Sequence, residues 1–195
     1  MVWRGAKWCD EVIARIVPLD DIEREHQGDT LAWIASGSPI YRTAKPATPP
    51  EYLVAYCVLI GPQRRSVLLV DHRDAGEWLA TGGHVDVDED PAEAAKRELC
   101  EELVVSSPFL HGLEGRPLLV TRAVTAGVSA GHTDVGLWYA FEGSENEELQ
   151  PDPREFADIR WWPIEQVRQG EGTRLDPNLP RFIEKLLQHW ERNPL

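Results

Sequence analysis

Residues 52–60, YLVAYCVLI, constrain the fold more than any other part of the chain. A strand with one wet face alternates apolar and polar residues, whereas this run is almost continuously apolar. It reads as a strand covered on both faces. Further strands are expected within QRRSVLLVDHR, at the start of EWLATGGHVDVDED, and at PLLVTRAV, DVGLWYAF and ADIRWWPI. Between and after them lie a helix over residues 91–104 and an amphipathic helix, LPRFIEKLLQHW, with Phe182, Ile183, Leu186 and Leu187 on one side. Strands interleaved with helices predict an α/β layered sandwich.

At 195 residues, with 42% apolar and 27% charged residues, the chain suits one well-buried domain with a small extension. No run approaches the roughly 20 apolar residues that span a bilayer. The N-terminal residues lack the apolar core and cleavage site of a signal peptide, so a cytoplasmic address is expected. The three cysteines are widely spaced, which speaks against a disulfide framework; Cys57 and Cys100 are expected as buried small hydrophobes. A formal charge of −13 disfavours nucleic acid polymers and anionic membranes as partners. It leaves a small phosphorylated substrate open, because a bound divalent metal inverts the local field.

Residues 10–37 carry apolar side chains at spacings of three and four, interrupted near Pro18 and Gly28, and read as helical. A Pro-rich connector, SGSPIYRTAKPATPP, follows as a linker, with a lid as the alternative. The expected division is a helical extension and linker over 1–48 and the main domain over 49–195. Trp3, Trp8 and Trp33 of the extension could form a lid or a homodimer contact.

The helix over 91–104 is the best specified. Asp90 can cap its first N–H groups, Pro91 fits the first helical position and Glu93 stands where a capping box places it. Ala92, Ala95, Leu99 and Leu103 fall within an arc of about 80°, a core-facing stripe. Glu98, Glu101 and Glu102 occupy the adjoining arc, where like charges repel by a few tenths of a kcal/mol per pair. A charged flank with Arg97 as partner of Glu101 would explain them. So would a hard divalent cation, which a few carboxylates and substrate phosphates together can hold.

The stretch GHVDVDEDPAEAAKRELCEELVV, Gly83 to Val105, resembles the signature of the Nudix hydrolases, G-x5-E-x7-R-E-U-x-E-E-x-G-U with U a bulky apolar residue. Gly83, Glu89, Arg97, Glu98, Leu99, Glu101, Glu102 and Val105 stand at their places; Val104 replaces the glycine. The resemblance extends from about Tyr52 to His189. It implies a Nudix-type α/β/α sandwich with a mixed central sheet, preceded here by the helical extension. It also implies cleavage of a nucleoside diphosphate linked to another moiety, using Mg²⁺ or Mn²⁺ and an attacking water. A catalytically silent nucleotide-binding or sensor module on the same fold is the alternative, although such modules usually show eroded box carboxylates and all are present here.

By the motif, Glu98, Glu101 and Glu102 are the expected metal ligands, with Glu89 completing the acidic cluster and the Gly82 carbonyl as a further ligand. Arg97 would orient a carboxylate for the metal. The general base stays open between Glu101 and a later loop holding Glu145, Glu147 and Glu148, with Glu155 and Asp134 as further candidates. Gly83, His84 and Arg73 are candidate substrate contacts, and Arg122 a lesser one. His132 and Asp134 could line the cleft or form a strand-entry turn. Trp78, Trp138 and Tyr139 could stack on a base or fill the core. Without glycine, position 104 would resist a left-handed helix end, leaving Ser106, Ser107 and Pro108 to stop the helix.

Overall fold

The computed structural model describes residues 6–45, 47–125, 131–171 and 174–193; Trp3 lies outside them. Two helices, α1 (Ala6–Ala14) and α2 (Asp21–Ala35), come first. Pro18, which has no N–H to donate, falls in the break between them, and the Asp20 carboxylate caps α2 by accepting from the Glu23 N–H at 2.8 Å. Gly28 sits inside α2 without breaking it, because packing of the helix outweighs the modest propensity cost of one glycine.

Strand β1 (Glu51–Ile60) lies at the centre of a mixed sheet. It is followed by β2 (Ser66–His72), β3 (Glu77–Leu79), β4 (Thr81–His84), α3 (Pro91–Leu103), β5 (Leu119–Val124), β6 (Thr133–Glu142), β7 (Phe156–Pro163), α4 (Ile164–Arg168) and α5 (Leu179–Arg192). β1 pairs in parallel with β6 along its whole length and antiparallel with β4. β5 adds to β6, while β3 and β7 add to β2, all antiparallel.

Each face of the sheet carries its own core. Leu53, Ala55, Cys57 and Leu59 of β1 pack with Leu99 and Leu103 of α3 and with Cys9, Ile13 and Ile34 of the N-terminal helices. Val58 and Ile60 face the other way, against Val167 of α4 and Phe182, Ile183 and Leu186 of α5. The double covering that β1 predicts is therefore supplied by α1–α3 on one side and α4–α5 on the other. Trp78, Trp138 and Tyr139 are all buried, and Trp138 donates its indole N–H to Thr121 at 2.9 Å.

The N-terminal helices are tied to the rest electrostatically as well. Glu23 of α2, fully buried, accepts from Lys185 Nζ of α5 at 2.5 Å and from the Val120 N–H of β5 at 3.3 Å. Arg181 reaches back to Asp20 at 2.7 Å. Cys57 is buried as expected but Cys100 is exposed: it follows stripe residue Leu99, and one residue's 100° rotation turns it outward.

Candidate active site

α3 begins as its sequence dictates, with the Asp90 carboxylate accepting from the Ala92 N–H at 2.8 Å and Pro91 in the first turn. Its end is less ordinary. The helix stops at Leu103, and Val104 takes the left-handed conformation (φ +56°, ψ +39°) that a glycine would adopt there. The chain thus ends the helix at the signature's glycine position and not at Ser106–Pro108. The carbonyls of Glu102 and Leu103, left without helical partners, accept from the N–H groups of Asp152 (3.2 Å) and Gln150 (3.0 Å). These bonds clamp the loop before β7 onto the helix.

Gly82 and Gly83, which follow the strand expected at the start of EWLATGGHVDVDED, lie in a strand of their own, β4, paired with Tyr56 and Ala55 of β1. A Cβ on Gly82 (φ +151°) would stand 2.3 Å from the Ala55 carbonyl oxygen, so only glycine allows this pairing. A Cβ on Gly83 would stand 2.4 Å from the carboxyl carbon of Glu98. Backbone approach requires the glycine at 82, whereas the glycine at 83 leaves room for the Glu98 carboxylate, which a methyl group would displace.

The carboxylates are divided by Arg97. Its guanidinium donates to both oxygens of Glu89 (2.9 and 2.8 Å), to Glu98 (2.6 Å), to Glu101 (3.3 Å) and to the His84 carbonyl (2.9 Å). Glu89 also accepts from the Asp86 N–H at 2.9 Å. Burial works against ionising Glu89, but the hydrogen bonds from Arg97 and Asp86 prevail and hold its pKa below the ordinary range. Glu101 projects into solvent at the rim of the network. The mutual repulsion that the sequence raises is thus relieved in large part by one arginine.

Glu102 stands apart. It is 8% exposed, and its side chain accepts a single hydrogen bond among the described residues, from the Gly82 N–H at 2.9 Å. Burial, reinforced by the charges of Glu98, Glu155 and Glu101, pushes its pKa up to about 9. Burial also raises Glu98, with Arg97 opposing. A carboxylate so desolvated, with no cationic side chain bonded to it, is suited to a hard cation. Among the described residues no three acids, imidazoles or thiols converge closely enough to enclose a metal. Mg²⁺ does not require that; one or two carboxylates, water and substrate phosphates complete its shell. Glu98 and Glu102, one turn apart beside Gly82, fit that partial set.

Strand alternation puts His84 on the side opposite Gly83. It faces a cleft of about 390 Å³ lined by Arg42, Tyr52, Tyr56, Gly82, Gly83, His132, Asp134 and residues of the β2–β3 hairpin, among others. The Tyr52 ring contacts both His84 and His132, with ring centroids 4.9 and 5.0 Å away. His132 contacts Asp134 at 3.2 Å, and Asp134 accepts from the Tyr56 hydroxyl at 3.3 Å. Burial and the charge of Arg42 lower the His84 pKa to about 4, so its ring is neutral at pH 7.

The remaining sequence candidates are spread out. Arg73 is exposed and donates to the Pro153 carbonyl at 3.1 Å, and Arg122 pairs with Glu51; neither lines the cleft. Glu145 accepts from Ser66 beside Gly61, while Glu147 and Glu148 are exposed. Of the later acids it is Glu155 whose charge acts on Glu102. Arg42, Tyr52 and Tyr56 are cleft residues that the sequence does not single out. The two tyrosines share the β1 face of Val54 by period-two alternation, which is their one sequence signal.

A NUDIX domain family matches residues 51–186. An RNA pyrophosphohydrolase of Brucella melitensis biotype 2 is 32% identical over 154 residues, covering 72% of this chain and 84% of that protein. Among solved structures, a NUDIX-family hydrolase from Clostridium perfringens superposes with a TM-score of 0.53 at 21% identity, over 70% of this chain and 96% of that one. A C. elegans Ap4A hydrolase binary complex gives 0.55 at 16% identity, over 72% and 98%. At such identities the structural likeness speaks for the fold. The family match covers most of the chain and includes the whole signature, from Gly83 through the Arg97 network to Val105: this chain belongs to the Nudix hydrolase family.

Proposed function

We propose that this chain is a divalent-metal-dependent pyrophosphohydrolase that cleaves a nucleoside diphosphate linked to another moiety by water attack at phosphorus. The observation that carries this reading is Glu102, a buried carboxylate beside Glu98 with no cationic side chain bonded to it. Mg²⁺ or Mn²⁺ held by Glu98, Glu102 and the Gly82 carbonyl, with Glu101 at the rim, would neutralise the diphosphate and lower the pKa of water. The protein's own groups supply position. Arg97 fixes Glu89 and Glu98 on the Asp86–Asp90 loop side, and the Gly82 N–H orients Glu102. The names of similar proteins support a pyrophosphate substrate: an RNA pyrophosphohydrolase, an Ap4A hydrolase, and the NUDIX domain of Shewanella oneidensis NrtR solved with ADP ribose. Glu155 joins Glu101 as a candidate for the base.

A panel containing ADP-ribose, diadenosine polyphosphates, nucleoside triphosphates and an RNA with a 5′-triphosphate tests the reading, with Mg²⁺ and with Mn²⁺. Turnover of at least one member is expected. Glu102→Gln should reduce it by more than the roughly 10–100-fold typical of losing a mere supporting contact at a metal, with the fold intact by circular dichroism. Full activity in that variant would remove the ligand assignment. Tight binding without turnover across the panel would favour the silent sensor module instead.

A further inference from the structure

Arg42 belongs to the connector before the family-matched span, yet its side chain forms part of the cleft wall. The cleft is otherwise acidic or neutral in its charged groups: Asp74, Glu77, Asp134 and Asp176 line it, and Arg42 is the one arginine or lysine among the described lining residues. In a chain with 33 acidic and 20 basic residues, carboxylate partners are plentiful. Arg97, Arg122, Arg174 and Arg181 all have one. Arg42 has no ion pair among the described residues. Its guanidinium instead lies over the Tyr52 ring, 5.9 Å from the centroid, and the imidazoles of His84 and His132 contact the same ring.

Contact with an aromatic ring holds a guanidinium in place; Arg42 also acts on the Tyr52 hydroxyl, and its remaining N–H groups can take an oxyanion. Asp134, a lining acid of the same cluster, already accepts from Tyr56 and contacts His132. Gly82 and Gly83, which abut the α3 carboxylates, line the same cleft. One ligand can therefore lie against β4 and extend to Arg42.

We propose that Arg42 is a substrate-binding residue, contributed from outside the family-matched region, that takes a phosphate of the nucleoside diphosphate moiety. The assignment rests on the hydrolase reading for its ligand class, and it makes the connector part of what sets specificity. A guanidinium reads phosphate as a fork, so charge alone should not replace it.

Calorimetric titration of the full-length chain in Mg²⁺ tests this with ADP and adenosine as probes. The proteins are wild type, Arg42→Ala, Arg42→Lys and a surface control on α4, Arg168→Ala. Wild type and control should prefer ADP to adenosine. Arg42→Ala should weaken ADP about tenfold or more, as expected for loss of a charge-assisted contact, and change adenosine by less than about twofold. Arg42→Lys should recover only part of the loss. Equal ADP affinity in Arg42→Ala would overturn the assignment, as would no preference for ADP in wild type. A parallel loss of both probes with a lowered melting temperature would reassign Arg42 to holding the connector, and would also overturn it. ADP binding through Arg42 without turnover of any panel member would refute the hydrolase reading and leave this site standing. Turnover with an unchanged KM in Arg42→Ala would do the reverse.

Discussion

Replacing Val104 by glycine should stabilise the protein. Val104 is held at φ +56°, ψ +39°, where an L side chain costs about 1–2 kcal/mol and a β-branched one sits at the unfavourable end. Glycine removes that cost but adds back about 0.5–1 kcal/mol of chain entropy in the unfolded state. Little apolar burial is lost, because Val104 is 59% exposed. The left-handed turn also survives, since the Val104 N–H bond to the Cys100 carbonyl and the clamps from Gln150 and Asp152 are all made by backbone. The balance is a gain of about 0.5–1 kcal/mol, at about 2–4 °C per kcal/mol for a chain of this size. Urea unfolding with linear extrapolation would measure it, the slope staying constant. Alanine, which keeps Cβ but lacks the branch, should recover less. A glycine variant no more stable than wild type would show that position 104 carries no strain, and the reasoning would fail.

Three further outcomes are expected. Gly83→Ala places a methyl group 2.4 Å from the Glu98 carboxyl carbon, so metal-dependent turnover should fall about tenfold or more while the circular dichroism spectrum is kept; wild-type rates would show that the Glu98 position is immaterial. Glu102, lifted by burial from 4.5 to about 9, retains a proton when folded that it loses when unfolded. In EDTA its contribution to stability should therefore decline as pH rises through that interval. Wild type should lose melting temperature relative to Glu102→Gln between about pH 5 and 8, and Mg²⁺ should restore more at the upper end; a constant difference between the two proteins would contradict this. Lys185→Met strands Glu23 in the interior, so urea unfolding should show a loss of about 3–5 kcal/mol, and a loss below about 1 would mean that water reaches the carboxylate.

What the sequence discloses depends on the range of the interactions involved. α3 is legible because its signals are local: a cap, a proline and an apolar stripe within one helix, and Ala92, Ala95, Leu99 and Leu103 are indeed buried. The apolar run of β1 likewise states that both faces are covered. β4 is not legible, because two glycines carry almost no strand propensity and the pairing depends on the approach of β1. Nor does helical spacing rank the three glutamates. Their separation into one buried, one tied to Arg97 and one exposed comes from β4 and the Asp86–Asp90 loop packing over them. The anchoring of α2 through Glu23 and Lys185 joins residues 162 positions apart, and no periodicity reports such a pair. Arg42 is hidden for the same reason, in a connector whose composition suggests only a linker.

Alternation along β4 has an evolutionary consequence. Gly83 looks toward the helix that carries the carboxylates, and its neighbour His84 looks into the cleft. β1 repeats the division, with Leu53, Ala55 and Cys57 on the first side and Tyr52, Val54 and Tyr56 on the second. Parity along two paired strands therefore lets substitutions on the cleft side and on the helix side be selected largely apart. Gly82 is the exception: even-numbered, it lines the cleft and yet donates its N–H to the Glu102 carboxylate, so the two sides meet at that residue. On the proposed hydrolase reading, drift at Tyr52, Val54, Tyr56 or His84 would reach the bound molecule before it reached Glu98.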